Sequence, residues 1–242
     1  MKENKYDNKD FFEKYSKMDR SVKGLAGAGE WHQLKQMIPN LQGKRVLDLG
    51  CGFGWHCQYA IEQGASEVTG VDISEKMLTV AKEKTDTKIE YIQSPLEDIN
   101  FIENSYDVVL SSLVLHYIES FETICNKVFH VLAKDGVFVF SVEHPIFTAQ
   151  GPEQWYCDEV GTKLHWPVDS YFLEGKRETV FLGEPVQKYH KTLTTFINTL
   201  IQSNFEITGV VEPSPDPRML EMEGMRDELR RPMMLLISAR KK

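Results

Sequence analysis

The 242-residue sequence predicts a doubly wound α/β fold with a mostly parallel sheet. Two patterns indicate it: short apolar runs alternate with segments of helical length, and a glycine-rich turn directly follows the first run. Strands that alternate with helices pair in parallel, because each crossover returns the chain over the sheet in the right-handed sense. With 41% hydrophobic and 26% charged residues, the chain can also bury a substantial core.

Seven strands are predicted from apolar runs that end at turn residues. They are Arg45–Leu49, Glu67–Asp72, Ile89–Ile92, Tyr106–Ser111, Gly136–Val142, Phe205–Val211 and Met233–Ala239. Two amphipathic helical segments, Lys5–Lys23 and Gly29–Ile38, precede the first strand. The helices between strands are predicted over Trp55–Gln63, from the N-cap Ser74 to Lys84, over Phe121–Ala133 and over Thr192–Ser203.

The charge balance and the cysteine pattern argue against several kinds of partner. The chain has 36 acidic and 28 basic side chains and a net charge of −8, so it should repel polyphosphate chains, and no nucleic acid partner is expected. No apolar stretch is long enough to span a bilayer, so no membrane partner is expected, and the start of the chain does not resemble a secretory signal. The four cysteines form no C-x-x-C pair, which favours neither disulfides nor a metal site and suits a reducing, cytoplasmic setting.

The segment V-L-D-L-G-C-G-F-G, Val46–Gly54, carries the clearest functional signal. Its glycines allow backbone N–H groups to approach a ligand closely. A dinucleotide-binding G-x-G-x-x-G motif would place its third glycine at Trp55, and an acid such as Asp48 would repel a pyrophosphate. Asp48 instead favours an ammonium or sulfonium group, and Asp72, at the end of the second strand, can accept both hydroxyls of a ribose. Together these residues favour S-adenosylmethionine over NAD.

Four segments resemble successive motifs of class I S-adenosylmethionine-dependent methyltransferases, in particular the small-molecule, type 11/25-like group. They are V-L-D-L-G-C-G-F-G, G-V-D-I-S, Y-D-V-V-L-S-S-L-V-L-H-Y-I and L-A-K-D-G-V-F-V-F-S, and the resemblance covers about Gly43–Val142. It implies a Rossmann-like sheet in which the last of seven strands, Met233–Ala239, runs antiparallel beside the fifth. It also implies S-adenosyl-L-methionine as cofactor, S-adenosyl-L-homocysteine as product and a small-molecule acceptor.

The resemblance also assigns cofactor contacts to particular positions. Where many relatives have a Gly-Asp pair this chain has Ser94–Pro95, so backbone groups of the next two residues would approach the adenine instead. The implied cofactor-binding residues are Asp48, Gly50 and Gly52 at the methionine moiety, Asp72 at the ribose, Ile73, Met77, Leu96 and Glu97 at the adenine, and Ser111 beside the sulfonium.

Two histidines are candidate catalytic residues. His116 follows the fourth strand and His144 follows the fifth, and the carboxyl ends of strands form the ligand crevice in open α/β sheets. Methyl transfer from a cationic sulfur needs a base only when the acceptor still holds its proton. A structural role for either histidine is an open alternative. Tyr15 and Arg20 are predicted to lie in a lid over the cofactor, with Arg20 a candidate partner for a carboxylate.

A single domain with four parts is predicted, because no linker divides the chain. Residues 1–42 form an N-terminal helical lid, residues 43–143 the cofactor-binding core, residues 144–190 an insertion on the substrate side after the fifth strand, and residues 191–242 the C-terminal part of the sheet. The insertion is rich in aromatic residues, and it is interpreted either as a lid over the acceptor or as an interface between subunits.

Two other functions compete with methyl transfer. An NAD(P)-dependent oxidoreductase would share Asp72 but should have the longer glycine spacing and lack Asp48. A non-catalytic S-adenosylmethionine-binding protein would share the whole cofactor site, and only an acceptor pocket distinguishes the two. Aminopropyl transfer and DNA methylation are disfavoured, because Ser111–Ser112–Leu113 stands where those enzymes carry acidic or proline-proline-aromatic motifs.

Overall fold

The computed structural model describes residues 4–242. Its strands are β1 (Arg45–Leu49), β2 (Glu67–Asp72), β3 (Glu90–Gln93), β4 (Tyr106–Ser112), β5 (Leu132–Glu143), β6 (Tyr156–Cys157), β7 (Lys163–His165), β8 (Gly175–Phe181), β9 (Glu184–His190), β10 (Phe205–Val211) and β11 (Met234–Lys241).

Seven of these strands form one twisted sheet in the order β3-β2-β1-β4-β5-β11-β10. The pairs along β3-β2-β1-β4-β5 are parallel, whereas β11 runs antiparallel to both β5 and β10. Only β11 is therefore reversed within this sheet. The predicted doubly wound, mostly parallel seven-stranded sheet with an antiparallel last strand is confirmed.

Helices cover both faces of the sheet and cross its carboxyl edge. The α-helices are α1 (Lys9–Ser16), α2 (Asp19–Val22), α3 (Trp31–Met37), α4 (Trp55–Glu62), α5 (Glu75–Lys84), α6 (Phe121–Val131), α7 (Pro145–Thr148) and α8 (Leu193–Gln202). Short 3₁₀ turns occupy Lys5–Asp7, Gly24–Gly27, Leu96–Asp98, Leu115–Tyr117, Pro217–Met219 and Asp227–Arg230.

Strand β1 lies at the centre of the core and is buried on both faces. Leu47 and Leu49 pack in the cluster on one face, and Val46 packs in the cluster on the other. Asp48 points to the same face as Val46, where its carboxylate meets Cys57 of α4. Since successive side chains of a strand alternate between faces, the sequence of β1 places one carboxylate inside an otherwise apolar layer.

The insertion is more regular than its turn-rich sequence indicates. It contains the short pair β6–β7 and the longer antiparallel hairpin β8–β9, which is paired from Gly175–His190 to Phe181–Glu184. In β9 the buried positions alternate and include Val186, Lys188 and His190. The inward face of this hairpin therefore carries two ionisable side chains toward the core domain.

The boundary before β5 differs from the prediction. The helix was expected to reach Ala133 and the strand to begin at Gly136, but α6 ends at Val131 and β5 begins at Leu132. Asp135 adopts a φ of 61°, and the β4–β5 register shifts between Tyr106 and Val108. The expected turn is thus an irregularity inside a longer strand. Within residues 4–242, no helix is long and apolar enough to cross a membrane.

Candidate functional site

The turn after β1 brings backbone groups to the carboxyl edge of the sheet. Gly50 and Gly52 have φ angles of 75° and 53°, which glycine adopts without steric cost. A Cβ on Gly50 would lie 2.3 Å from Cγ2 of Val114, so no larger residue fits there. The Cβ position of Gly52, in contrast, has nothing within 4 Å. The turn therefore leaves open space beside Gly52 in which a ligand can approach the backbone.

Asp72 ends β2 beside this turn, and its carboxylate is fixed by two backbone groups. Oδ2 accepts a hydrogen bond from the N–H of Gly52, and Oδ1 accepts one from the N–H of Ser74, both at 2.9 Å. Burial raises the pKa of Asp72, whereas these two N–H groups act in the opposite direction. Each carboxylate oxygen has two lone pairs, so the carboxylate can still accept both hydroxyls of a ribose.

Asp48 is a buried carboxylate with an unused acceptor. The side chain is 1% exposed, and its Oδ2 lies 3.4 Å from the Sγ of Cys57. Its Oδ1 has no hydrogen-bond partner among residues 4–242. Burial raises the pKa of Asp48 to about 7. A buried acceptor without a partner is costly, and a cationic ligand group or an ordered water would relieve that cost. The acceptor oxygens of Asp48 and Asp72 therefore fit a ligand that carries a ribose and a positive charge.

The start of the described chain crosses the corner between β2 and α5. Oδ1 of Asp7 accepts hydrogen bonds from the Ser74 hydroxyl at 2.6 Å and from the Lys76 N–H at 3.1 Å. The Asn4 amide donates to the carbonyl of Ile73 at 3.4 Å. Ser74 is also the N-cap of α5, so the same corner fixes both the helix and the N-terminal segment.

Aromatic rings join this segment to the glycine turn. The ring of Tyr6 lies 5.1 Å from the rings of Phe11 and Tyr15, and Tyr15 lies 5.9 Å from Phe53 in the turn. These edge-to-face pairs place Tyr15, a predicted lid residue, directly beside the loop that follows β1.

The N-terminal segment and the insertion also contact each other. Nζ of Lys14 donates to the carbonyl of Leu182 at 2.9 Å, and the rings of Phe11 and Phe181 lie 5.8 Å apart. Leu182 forms the turn of the β8–β9 hairpin. Two segments distant in sequence therefore meet over the carboxyl edge of the sheet.

Arg20, the second predicted lid residue, is paired inside the N-terminal region. Its guanidinium donates to the carboxylate of Glu30, which is 2% exposed. A ligand carboxylate would have to share this guanidinium with Glu30. The assignment of Arg20 to the cofactor stays a prediction.

The residues predicted for the adenine lie along the corner after β2 and the turn after β3. Met77 and Leu96 are buried, at 2% and 5% exposure, whereas Ile73 and Glu97 are partly exposed. Ser111 is buried in β4, and its hydroxyl donates to the carbonyl of Leu49 at 2.9 Å. That bond ties β4 to β1, so the Ser111 hydroxyl already has an acceptor.

His116 lies in the turn that follows β4 and is 3% exposed. Its Nδ1 accepts a hydrogen bond from the N–H of Glu143 at 3.3 Å. Burial lowers the pKa of His116 to about 4, so the ring is neutral at pH 7. A neutral imidazole whose Nδ1 accepts must carry its proton on Nε2. Nε2 lies 3.9 Å from Oε2 of Glu143.

A buried charge network adjoins His116. Nζ of Lys188 lies 2.6 Å from Oε1 of Glu143 and 2.7 Å from Oε2 of Glu153, and the lysine is 3% exposed on its side chain. Burial and the nearby Glu143 carboxylate raise the pKa of Glu153 to about 7, against the effect of Lys188. Oε2 of Glu143 is buried and has no hydrogen-bond partner within the described part of the chain. The network thus presents one unused carboxylate oxygen next to His116.

His144, the other candidate catalytic residue, turns away from His116. Its Nδ1 accepts the N–H of Ile146 and so caps α7, and its Nε2 lies 2.8 Å from Oε1 of Glu212, which follows β10. Strand β11 separates β5 from β10, so this ring points to the side of β5 opposite β4. Both ring nitrogens thus face structural neighbours. A catalytic role for His144 stays a prediction.

Several site residues were not predicted from the sequence. Glu143 directly precedes the predicted residue His144, but neither its carboxylate nor Lys188 was predicted as part of the site, because the two meet across 45 positions of sequence. Tyr6 and Tyr117 were also missed; their hydroxyls interact, and Tyr6 lies within electrostatic range of both Asp72 and Glu143. The only sequence signals were the strand-end position of Glu143 and the alternating pattern of β9.

Known proteins share both the sequence and this architecture. A family model described as a methyltransferase domain matches residues 47–140. The crystal structure of a protein from Listeria monocytogenes, assigned as an S-adenosylmethionine-dependent methyltransferase, is 58% identical over 90% of this chain and 99% of its own, with a TM-score of 0.87. An S-adenosylmethionine-dependent methyltransferase from Mesorhizobium loti is 44% identical over 90% of this chain and 100% of its own, with a TM-score of 0.84.

The similarity also extends over nearly the full length of a curated sequence. A Haemophilus influenzae protein without an assigned activity is 35% identical over 98% of this chain and 96% of its own. The matched relatives thus include the insertion and the N-terminal region as well as the sheet. Together with the glycine turn, Asp48 and Asp72, these similarities show that the chain belongs to the class I S-adenosylmethionine-dependent methyltransferases.

Proposed function

We propose that the protein transfers the methyl group of S-adenosylmethionine to a small-molecule acceptor by in-line displacement. The observation that carries this proposal is that two carboxylates flank the glycine turn: Oδ1 of Asp48, which has no partner among residues 4–242, and Asp72, which is fixed by two backbone N–H groups. When bound, the cofactor supplies a methyl group on a positively charged sulfur. The remaining work of positioning and excluding water belongs to residues of this chain.

The proposed cofactor contacts are those predicted from the sequence. The unpartnered Oδ1 of Asp48 would receive the positively charged end, and the fixed carboxylate of Asp72 would accept the ribose hydroxyls. The open space beside Gly52 supports a close approach to the backbone. The other proposed contacts are Gly50 and Ser111 near the sulfonium, and Ile73, Met77, Leu96 and Glu97 near the adenine.

A small acceptor is supported by the way the site is covered. The N-terminal segment and the β8–β9 hairpin contact each other through Lys14 and Leu182 and through Phe11 and Phe181. A macromolecular acceptor would have to separate these contacts, which favours a small molecule. We infer that the insertion acts as a lid over the acceptor and that Tyr15 and Arg20 belong to the lid over the cofactor.

On the acceptor side, His116 is the better supported of the two predicted catalytic histidines. It lies beside the unused oxygen of Glu143, whereas His144 caps α7 and contacts Glu212. The proposal also keeps the cytoplasmic location predicted from sequence, which the four free cysteines support because thiols persist in a reducing compartment.

Calorimetric titration with S-adenosylhomocysteine tests the cofactor contacts. We expect Asp72→Asn to weaken binding by at least about tenfold, because each charged hydrogen bond to the ribose contributes about 1.5–3 kcal/mol. Asp169→Asn, which removes an exposed carboxylate in the insertion, is the matched control and should bind like the native protein. Equal affinities of the two variants would contradict the assignment of Asp72.

Transfer of a labelled methyl group tests the acceptor. The native protein is incubated with S-adenosylmethionine labelled in the methyl group and a fractionated cell extract, and the label is followed by size. We expect it in compounds below the size of a peptide and not in protein or nucleic acid. Label confined to macromolecules would refute a small-molecule acceptor, and binding of NADH in place of the adenosyl ligands would refute the function.

A further inference from the structure

The facing polar atoms of His116 and Glu143, both buried, have the polarity of a hydroxyl-binding site. Nε2 of His116 carries a proton, because Nδ1 accepts the backbone N–H of Glu143 and the buried ring is neutral. Oε2 of Glu143 is an acceptor that no described residue, from position 4 onward, contacts with a hydrogen bond. The two atoms lie 3.9 Å apart, too far for a hydrogen bond between them and close enough for one heavy atom to contact both.

Lys188 determines which oxygen of Glu143 is available. Its ammonium group donates to Oε1 of Glu143 at 2.6 Å and to both oxygens of Glu153, at 3.0 and 2.7 Å. Those three bonds use all three of its donors. The lysine therefore fixes Glu143 through one oxygen and leaves the other 3.9 Å from Nε2 of His116.

The charges of this network select against an anionic acceptor. One lysine faces two carboxylates in a largely water-excluded site, and the neighbouring histidine is neutral. A carboxylate or phosphate placed at Oε2 of Glu143 would meet like charge at short range, where repulsion is strong. An amine acceptor would satisfy Glu143, but its single lone pair would be taken by the N–H of His116. A hydroxyl oxygen can accept from His116, donate to Glu143 and keep a second lone pair for reaction.

We propose that the acceptor is an uncharged hydroxyl compound, that His116 donates a hydrogen bond to its oxygen, and that Glu143 takes its proton. This inference rests on the proposed function and narrows it to O-methylation. The acceptor oxygen forms the new bond to the methyl carbon as the bond between that carbon and sulfur breaks and leaves its electron pair on sulfur. The O–H bond leaves its electrons on oxygen, and the proton passes to Oε2 of Glu143.

In this arrangement Glu143 is the base and His116 is a donor. Lys188 is a positioning residue, since it acts only through Glu143. The sequence indicated His116 as a candidate base. Because its Nδ1 already accepts the backbone N–H of Glu143, its Nε2–H donates a hydrogen bond to the acceptor oxygen instead of taking a proton from it. The ring of Tyr117 packs against that of His116, with centroids 4.4 Å apart.

Binding of three matched probes tests the chemical class of the acceptor. Benzyl alcohol, benzylamine and benzoate share one ring and differ in the polar group, and each is titrated by ligand-observed NMR into protein saturated with S-adenosylhomocysteine. We expect the native protein to bind benzyl alcohol at least about tenfold more tightly than benzoate and more tightly than benzylamine. Preference for benzoate or benzylamine, or no binding of the alcohol at millimolar concentration, would overturn the proposal.

Glu143→Gln and Glu153→Gln form a matched pair of variants. Both remove one negative charge from Lys188, but only the first alters the oxygen that faces His116. We expect Glu143→Gln to lower the affinity for benzyl alcohol by about tenfold and Glu153→Gln to change it less than about threefold. If both substitutions lowered the affinity equally, the loss would come from the changed net charge around Lys188, and a direct contact between Glu143 and the alcohol would be refuted.

The tautomer of His116 gives a test that needs no acceptor. Nitrogen-15 spectra of histidine-labelled protein should show the His116 ring neutral and protonated on Nε2 throughout pH 6–8. The signal of His116 is identified by its absence from the spectrum of His116→Gln. Glu143, Lys188 and Lys191 are the charged groups that act on this ring. A proton on Nδ1 would refute the donor role. Unchanged affinity of Glu143→Gln for S-adenosylhomocysteine separates failure of this inference from failure of the cofactor site.

Discussion

Replacement of Asp48 by asparagine should make the ligand-free protein more stable and its cofactor site weaker. Asp48 is 1% exposed in the central strand, and one of its oxygens has no partner. An ionised carboxylate in such a place is costly, whereas a neutral amide of the same shape is less so. The substitution therefore removes a charge that burial disfavours and that the cofactor requires.

The structure gives the size of this effect and its dependence on pH. Burial raises the pKa of Asp48 from 3.8 to about 7. A carboxyl group with a raised folded-state pKa favours folding below its unfolded pKa, and that contribution is lost as pH rises from 3.8 to 7. The loss amounts to about 4 kcal/mol at pH 8, of which about 2.5 kcal/mol develops between pH 5 and pH 8.

Urea denaturation at several pH values measures this difference. We expect the unfolding free energy of Asp48→Asn, relative to the native protein, to increase by about 2.5 kcal/mol from pH 5 to pH 8. Contributions of other titrating groups cancel in the comparison, as does any constant effect of the asparagine. A difference that does not change with pH would mean that Asp48 titrates normally, and the argument from its burial would be refuted.

The same carboxylate should make cofactor binding depend on pH. If the ionised form of Asp48 is the form that binds, the competent fraction rises about tenfold from pH 6 to pH 8. Calorimetry should therefore show an affinity for S-adenosylhomocysteine that increases by about that factor in the native protein and stays flat in Asp48→Asn.

Two further substitutions separate structural from functional contacts. Lys188→Met leaves Glu143 and Glu153 buried without a cation, and we expect it to destabilise the fold by about 3–5 kcal/mol at pH 8. The loss should be smaller at pH 5.5, because protonation of Glu153, whose pKa is raised to about 7, relieves the repulsion. Thermal unfolding at the two pH values measures both losses, and equal losses would contradict the prediction. Ser111→Ala removes the hydrogen bond to the Leu49 carbonyl and the proposed contact beside the sulfur. We expect it to lower the unfolding free energy by about 1 kcal/mol and also to weaken the binding of S-adenosylhomocysteine. Unchanged affinity would show that the hydroxyl serves the fold alone.

The sequence predicted the parts of the fold that local chemistry determines. Strands β1, β2 and β10 have the predicted bounds, because each is an apolar run that ends at an abrupt turn or change of pattern. From the sequence, the region of the β8–β9 hairpin was predicted only as an insertion rich in aromatic residues. Its outward positions include the charged Lys176 and Glu178 but also Val180, so its sequence does not separate the two faces by polarity. Its stability depends on packing against the rest of the chain, which local composition does not reveal.

The site residues also fall into those that the sequence predicted and those that only the folded structure brings together. Asp48 and Asp72 are adjacent to strand ends in a recognisable motif, so their positions followed from the sequence. The role of Glu143 depends on Lys188, which approaches it only after the hairpin folds back over the sheet. The direction in which His116 donates depends on one backbone N–H. Neither contact has a signature at fixed spacing, so both required the three-dimensional structure.

The contact between the N-terminal segment and the hairpin has a consequence for turnover. Lys14 is hydrogen-bonded to Leu182, and Phe11 lies against Phe181. The N-terminal segment therefore cannot move away from the site without breaking its contacts with the β8–β9 hairpin, and the hairpin cannot move without breaking them either. We expect both products to leave through a single opening event, and the slowest step of each cycle to be that event. Catalytic rate would then respond to solvent viscosity and to changes at Lys14, far from the atoms that react.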